Sequence, residues 1–289
     1  MAYRANLINA LINLYHKDLS VSPKSESTGN RINDAGVAFE KFIEELFYNP
    51  KAKNNEKEIQ EYFSHKGSSN SPPDLILKLG DAIEIKKLTS IRALPLNSSW
   101  PRKILSRDDP KISSRIRECE DANGGWQEKD YFYATGIVPN DKNPPETIFF
   151  VQGPCIAASH FQDFYNTIKA AINTAAMTLK TGPEIGKTNE LGRLNKIDKL
   201  GFTDLRIRGM FQIKHPLHIF EYLCLPDNKK DLNVFCLMTE AKYKSFDPED
   251  TNALEKLADV KVKRNVAIQD PEDGISDLKC VFVSFGVTI

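Results

Sequence analysis

The sequence predicts an α/β fold: a mixed central sheet flanked by helices, in one domain covering residues 1–289. Three observations predict it. Segments with helical apolar spacing interleave with segments of strand character. A hairpin over 74–88 and segments at 131–138, 147–151, 205–213, 233–238 and 279–287 read as strands. No internal repeat, low-complexity tract or linker divides the chain.

The elements follow in order. Residues 6–15 read as a short amphipathic helix, and the polar stretch 20–33 reads as a loop. Ala35, Ala38, Phe39, Phe42, Ile43, Leu46 and Phe47 repeat at helical spacing, with Asn33 or Asp34 as a cap and Asn49-Pro50 as the stop. Gly67 to Pro73 has loop composition. A hairpin follows: Asp74–Lys78, a turn at Leu79-Gly80, then Asp81–Leu88. Tyr131–Val138 and Thr147–Val151 read as further strands. Phe161, Phe164, Tyr165, Ile168, Ala171, Ile172, Ala175 and Leu179 mark a long buried helix. Residues 181–202 read as glycine-punctuated loop, and Leu205–Ile213, Asn233–Met238 and Lys279–Val287 as strands.

Of the 289 residues, 40% are apolar and 27% charged, ordinary for a globular protein. The first twenty residues lack the basic-then-apolar order of a signal peptide, and no run reaches the roughly 20 apolar residues of a membrane helix. Five scattered cysteines point to reduced thiols and a cytoplasmic location. Net charge is zero, which argues against a protein that coats nucleic acid generally. Charge is nonetheless local: residues 78–117 hold ten basic and four acidic side chains. Such a run is also what a solvated face looks like.

The chemistry is concentrated in the hairpin. Pro73-Asp74 is followed, after nine residues, by Glu84-Ile85-Lys86. Strands have a period of two, so Glu84 and Lys86 point to one face while Ile83 and Ile85 face the core. Pairing about Leu79-Gly80 sets Asp74 almost opposite Glu84. Two carboxylates there suit Mg2+, which takes oxygen ligands and keeps room for water and phosphate oxygens. Phosphodiester hydrolysis needs such an ion and a nucleophilic water. Lys86 would orient that water and stabilise charge. Glu40, on the helix preceding the hairpin, is a candidate third metal carboxylate. Alone, Glu-x-Lys on a strand is more often an exposed cross-strand pair; with Pro-Asp before it, the arrangement matches the PD-(D/E)xK nucleases and implies a restriction-endonuclease-like core.

The resemblance extends further. SPPDLILKLGDAIEIKKLTS with ALPLNSSWPRKIL, then CEDANGGWQEKDYFYATGIV and NELGRLNKIDKLGFTDLRIRGMF, resemble the NgoPII-type restriction endonucleases. The likeness covers most of residues 30–245. It implies a type II enzyme of a prokaryotic restriction–modification system, with a DNA methyltransferase as genetic partner. It also implies a GGCC target, although enzymes reading GGNNCC share similar blocks.

A palindromic duplex target is matched by a two-fold homodimer. Arginine reads guanine O6 and N7 bidentately in the major groove. Arg206 and Arg208, alternating with Leu205 and Ile207, are the leading readers, with Arg193, Asn195 and Lys196 beside them. Asn97, Ser98, Ser99 and Arg102 follow the hairpin and are expected to position DNA through its phosphates. For Arg206, Arg208, Arg193, Asn195 and Lys196, an exposed charged strand face is the plainer reading of any one residue.

Other chemistries fare worse. His215 and His218 lack companion ligands at zinc spacing. Cys119 and Cys155 have no nucleophile setting and read as buried apolar groups. Gly182 to Thr188 has only three residues between its glycines, one short of a phosphate loop. A structure-specific repair nuclease or resolvase, and a non-catalytic DNA-binding module, remain as alternatives.

Overall fold

A computed structural model describes residues 3–19, 31–52, 55–67, 72–97, 100–139, 144–179, 184–188 and 190–288. Most of the predicted loops at 20–33 and 67–73, and part of the segment 182–188, lie outside them.

The helices are α1 (Leu7–Tyr15), α2 (Arg31–Glu44), α3 (Glu56–Gln60), α4 (Ser114–Arg117), α5 (Phe161–Met177), α6 (Pro216–Ile219), α7 (Glu240–Ser245) and α8 (Pro248–Glu255). The strands are β1 (Phe63–Lys66), β2 (Leu75–Leu77), β3 (Ala82–Leu88), β4 (Leu94–Asn97), β5 (Ile104–Ser106), β6 (Glu128–Ile137) and β7 (Thr147–Gln152). They continue with β8 (Glu184–Ile185), β9 (Gly192–Asn195), β10 (Leu205–Ile207), β11 (Met210–Ile213), β12 (Leu232–Thr239), β13 (Lys261–Gln269) and β14 (Asp277–Val287).

A nine-stranded mixed sheet dominates the described residues, in the order β1-β2-β3-β6-β7-β12-β14-β13, with β5 joined to β6. β3 runs parallel to β6, and β7 parallel to β12; the other pairings are antiparallel. Both faces of the sheet are covered, which is why Thr147–Gln152 is buried at every position instead of alternating. One core joins Ile83, Ile85, Phe132, Phe150 and Val234 to α1 and α2. The other joins Tyr131, Tyr133, Phe149, Phe235 and Phe282 to Ile116, Trp126 and Phe220. A three-stranded sheet, β10-β9-β8, and the pair β11-β4 stand apart from the main sheet.

Helix α2 lies hard against β3 and β6. Gly136 on β6 allows this: a Cβ there would sit 2.1 Å from the Phe39 ring. The close approach carries Glu40 toward β3.

Four expectations need correction. Helix α2 starts at Arg31, so Asn33 and Asp34 lie inside it and do not cap it, and it ends at Glu44, before Asn49-Pro50. Helix α5 is not buried: Tyr165 and Ala176 are its buried residues, while Phe164 is 56% and Met177 76% exposed. Its periodicity records an apolar stripe, not what covers it. The span 205–213 is two strands, because the chain leaves β10 at Arg208-Gly209 and β11 pairs with β4. Residues 181–202 contain β8 and β9 as well as loop. Strand β13 escaped notice: its KVKRNVAIQ sequence is charged, as exposed sheet edges are.

Candidate active site

The hairpin register is fixed from outside. Glu120 and Lys129 form a buried ion pair at 2.8 Å beneath the turn. Glu120 accepts from the Leu79 N–H at 2.9 Å, and Lys129 donates to the Gly80 carbonyl at 3.1 Å. Leu79 takes a positive φ of 53°. With the turn held, Leu75 pairs with Ile83 and Ile76 with Ala82, so Asp74 falls beside Glu84. The Ile85 N–H donates to Asp74 Oδ2 at 2.6 Å and locks that carboxylate in place.

Glu84 and Lys86 share a face, as the strand period dictates. Lys86 Nζ donates to Glu84 Oε1 at 2.5 Å. The Tyr131 hydroxyl donates to Glu84 Oε2 at 3.0 Å. Tyr131 comes from β6, whose parallel register sets Tyr133 against Glu84 and puts Tyr131 on the same face. Behind it, the Arg102 guanidinium lies 5.7 Å from the Tyr131 ring and pairs with Asp109 at 2.6 Å. Burial, then the Glu84 charge, pushes the Tyr131 phenol well up, so it donates as a neutral group.

The carboxylates crowd each other. Burial and the charges of Glu84 and Glu40 raise Asp74 to about 7, against the pull of Lys86 and the Ile85 N–H. Burial also raises Glu40, with Lys86 opposing and Glu84 adding to the rise. Burial works against the Lys86 charge, but Glu84, Asp74 and Glu40 together outweigh it and hold the ammonium above its usual range. This is an all-oxygen donor set short of positive charge. No three His, Cys, Asp or Glu side chains form a ready metal cage among the described residues. Magnesium needs none: it is bound by one or two carboxylates plus waters and substrate phosphates. Asp74 and Glu84 fit that requirement, and a divalent ion would relieve the repulsion that raises Asp74.

Comparison with known proteins adds the family. The NgoPII restriction endonuclease model matches residues 5–271. The chain belongs to the NgoPII restriction endonuclease family. It is 36% identical over 280 residues to the type II restriction enzyme NgoPII of Neisseria gonorrhoeae, covering 95% of this chain and 92% of that enzyme. No solved structure matches. Membership makes the chain a type II restriction endonuclease, a nuclease whose partner is double-stranded DNA.

Against that family role, the expected DNA contacts fall into three groups. Arg206 and Arg193 face each other across β10 and β9. Like charges opposed on a sheet repel, and acids compensate here. Glu190 takes Arg206 in two hydrogen bonds, 3.0 and 2.7 Å, and pairs with Arg208 at 2.9 Å. Arg193 pairs with Asp204 and donates to Asn195. Lys196 pairs with Glu184. The five residues are therefore gathered on one small sheet and at its strand ends, away from the hairpin in sequence. Arg102 is a correction: it is 4% exposed and paired with Asp109, too buried to reach a phosphate from where it sits, and it supports Tyr131 instead. Asn97 ends β4, its side chain outside the described residues, as are Ser98 and Ser99.

Sequence reasoning missed Tyr131, Asp109 and Glu190. The Tyr-x-Tyr-x-Thr alternation of β6 was the available signal for Tyr131. Glu190 carried none, being one acid among 39 acidic residues. Of the residues set aside, His215 Nδ1 caps α6 by accepting from the Leu217 N–H, and burial lowers the imidazole to about 4. Cys155 is buried, with its sulfur 3.7 Å from that of Cys280.

Proposed function

We propose that the chain is a magnesium-dependent endonuclease with a PD-(D/E)xK core in one domain, cutting both strands of a short G/C palindrome, GGCC or GGNNCC. The observation that carries this reading is the convergence of Asp74, Glu84 and Lys86 on one end of β2 and β3.

Asp74 and Glu84 would hold the ion, with Glu40 as a further carboxylate close by. Bound there, Mg2+ supplies positive charge to the scissile phosphate and lowers the pKa of a water. The Ile85 N–H keeps Asp74 oriented. Tyr131 holds one oxygen of Glu84, leaving the other to Lys86. Lys86 stays protonated and, released from Glu84 by substrate, would orient the attacking water and stabilise charge on the phosphate. Arg206, Arg208, Arg193, Asn195 and Lys196 would read or grip the duplex, and Asn97, Ser98 and Ser99 would touch its backbone. A palindrome implies a homodimer. A cognate methyltransferase in the same prokaryotic cytoplasm would protect host DNA.

The test is incubation with plasmid and with a branched duplex, in magnesium. Discrete plasmid fragments with one shared end sequence are expected. Cleavage restricted to the branched duplex would make this a repair nuclease, and binding without cutting a DNA-binding module.

A further inference from the structure

The hairpin between β9 and β10 ends in two apolar side chains held out in solvent. Leu200 is 75% exposed and Phe202 84%. Their loop is built to keep them there. The Asp198 carboxylate accepts from the N–H groups of Leu200 at 2.9 Å, Phe202 at 3.3 Å and Thr203 at 2.7 Å. The Asp198 carbonyl accepts from Gly201, and the Thr203 carbonyl from Ile197. Gly201 takes a φ of +72°, which a side chain would resist. The base of the hairpin is braced by the Arg193–Asp204 pair and by the Lys196 N–H on Asp204. A rigid loop gains nothing in the free protein by presenting Phe and Leu to water, so the arrangement asks for a partner.

The family's substrate says which partner: the chain belongs to a family of DNA endonucleases. Residues 184–208 carry six basic side chains and four acidic ones, with Arg193, Lys196, Arg206 and Arg208 paired to Asp204, Glu184 and Glu190. An apolar tip on a sheet with a small excess of cations, beside two exposed arginines, fits duplex DNA, a polyanion with apolar layers inside it. Proteins that bend DNA insert Phe or Leu between base steps, unstack them and kink the helix by roughly 20–90°. We infer that the Leu200–Phe202 tip is a DNA wedge, inserted between base pairs beside the bases contacted by Arg206 and Arg208.

This rests on the functional reading above and adds to it that the substrate is kinked in the complex. Flexible pyrimidine–purine steps at or next to the site would be favoured.

The experiment uses the full chain, calcium in place of magnesium, and an end-labelled duplex containing the cleaved sequence. Energy transfer between the ends reports the bend. Wild type should shorten the end-to-end distance. Phe202→Ala and Leu200→Ala should return it toward the straight value and weaken binding, for the aromatic by roughly 5- to 150-fold in Kd. Ile275→Ala, which removes an equally exposed apolar group on the turn between β13 and β14, should change neither. Oligomeric state is measured in parallel. A wild-type complex with unbent DNA overturns the wedge alone. So does a Phe202→Ala protein that bends DNA normally but has lost self-association, which would make the tip a contact between copies. A wild-type chain that neither binds nor cuts any duplex overturns the functional reading, and the wedge with it.

Discussion

The Ile85 N–H and the Asp74 carboxylate meet at 2.6 Å across the β2–β3 hairpin. This bond fixes a buried acid next to a second acid, Glu84, at a cost in stability without a cation. Asp74 is accordingly raised to about 7, first by burial and then by Glu84. A group raised in the native state stabilises at low pH and loses that contribution as pH climbs through its native value. At pH 8 the penalty is therefore fully present, and near pH 4 it is absent. Asp74→Asn should stabilise the metal-free protein at pH 8 by at least ~1 kcal/mol, raising Tm by about 2–4 °C. The gain should fade toward pH 5. Thermal unfolding in EDTA at both pH values checks it, and a destabilised variant at pH 8 would contradict it.

Magnesium should act on the wild type in the same direction. A cation that binds only the folded state stabilises by mass action. Wild-type Tm should rise with magnesium concentration, and that of Asp74→Asn should rise far less. Equal rises in both proteins would place the ion elsewhere.

Lys86 is bonded to Glu84 at 2.5 Å on the same strand face. If it acts electrostatically on the reacting phosphate, as proposed, Lys86→Ala should lower the single-turnover cleavage rate by at least about 100-fold. Affinity for the duplex in calcium should change only a few-fold. A variant that binds weakly yet cuts normally once saturated would reduce Lys86 to a phosphate anchor.

Tyr131 is buried and donates to Glu84, so the role expected of it is to position that carboxylate. Tyr131→Phe keeps the ring and removes the donor. Partners of metal ligands typically contribute about 10- to 100-fold to metal affinity or activity. The magnesium concentration for half-maximal cleavage should rise by that order, with affinity for DNA unchanged. Directly measured divalent-ion binding should weaken in parallel. A fall in rate with no change in magnesium dependence would make Tyr131 a packing residue only.

Arg206 and Arg208 converge on Glu190, which holds both guanidinium groups at one edge of the small sheet. If they read guanine, Arg206→Ala or Arg208→Ala should cost about 1–3 kcal/mol on the cognate duplex and little on a scrambled one. Equal losses on both duplexes, with a reduced salt dependence, would show phosphate contacts instead.

The hairpin was legible because its signals are local. Leu79-Gly80 names the turn, alternation sets the faces, and together they place Asp74, Glu84 and Lys86 without tertiary knowledge. What failed to show depends on distant partners. Arg102 reads as a surface cation until Asp109 and Tyr131 are seen to enclose it. Helix α5 has the apolar spacing of a core helix, yet Phe164 and Met177 lie exposed. Strand β13 carries three charges because it is an edge, and edge status is a property of the sheet, not of the nine residues. Glu190 acquires meaning only once β9 and β10 bring two arginines to it.

Asp74 and Glu84 are proposed to form the metal-dependent cutting site. The most direct test is plasmid cleavage in magnesium by wild type, Asp74→Ala and Glu84→Ala, each first shown to be folded and to bind DNA in calcium. Wild type should give discrete fragments, and both variants should leave the plasmid intact at enzyme concentrations 1,000-fold higher, on the order expected for loss of a divalent-ion ligand. Cutting by either variant at the wild-type rate would contradict the assignment.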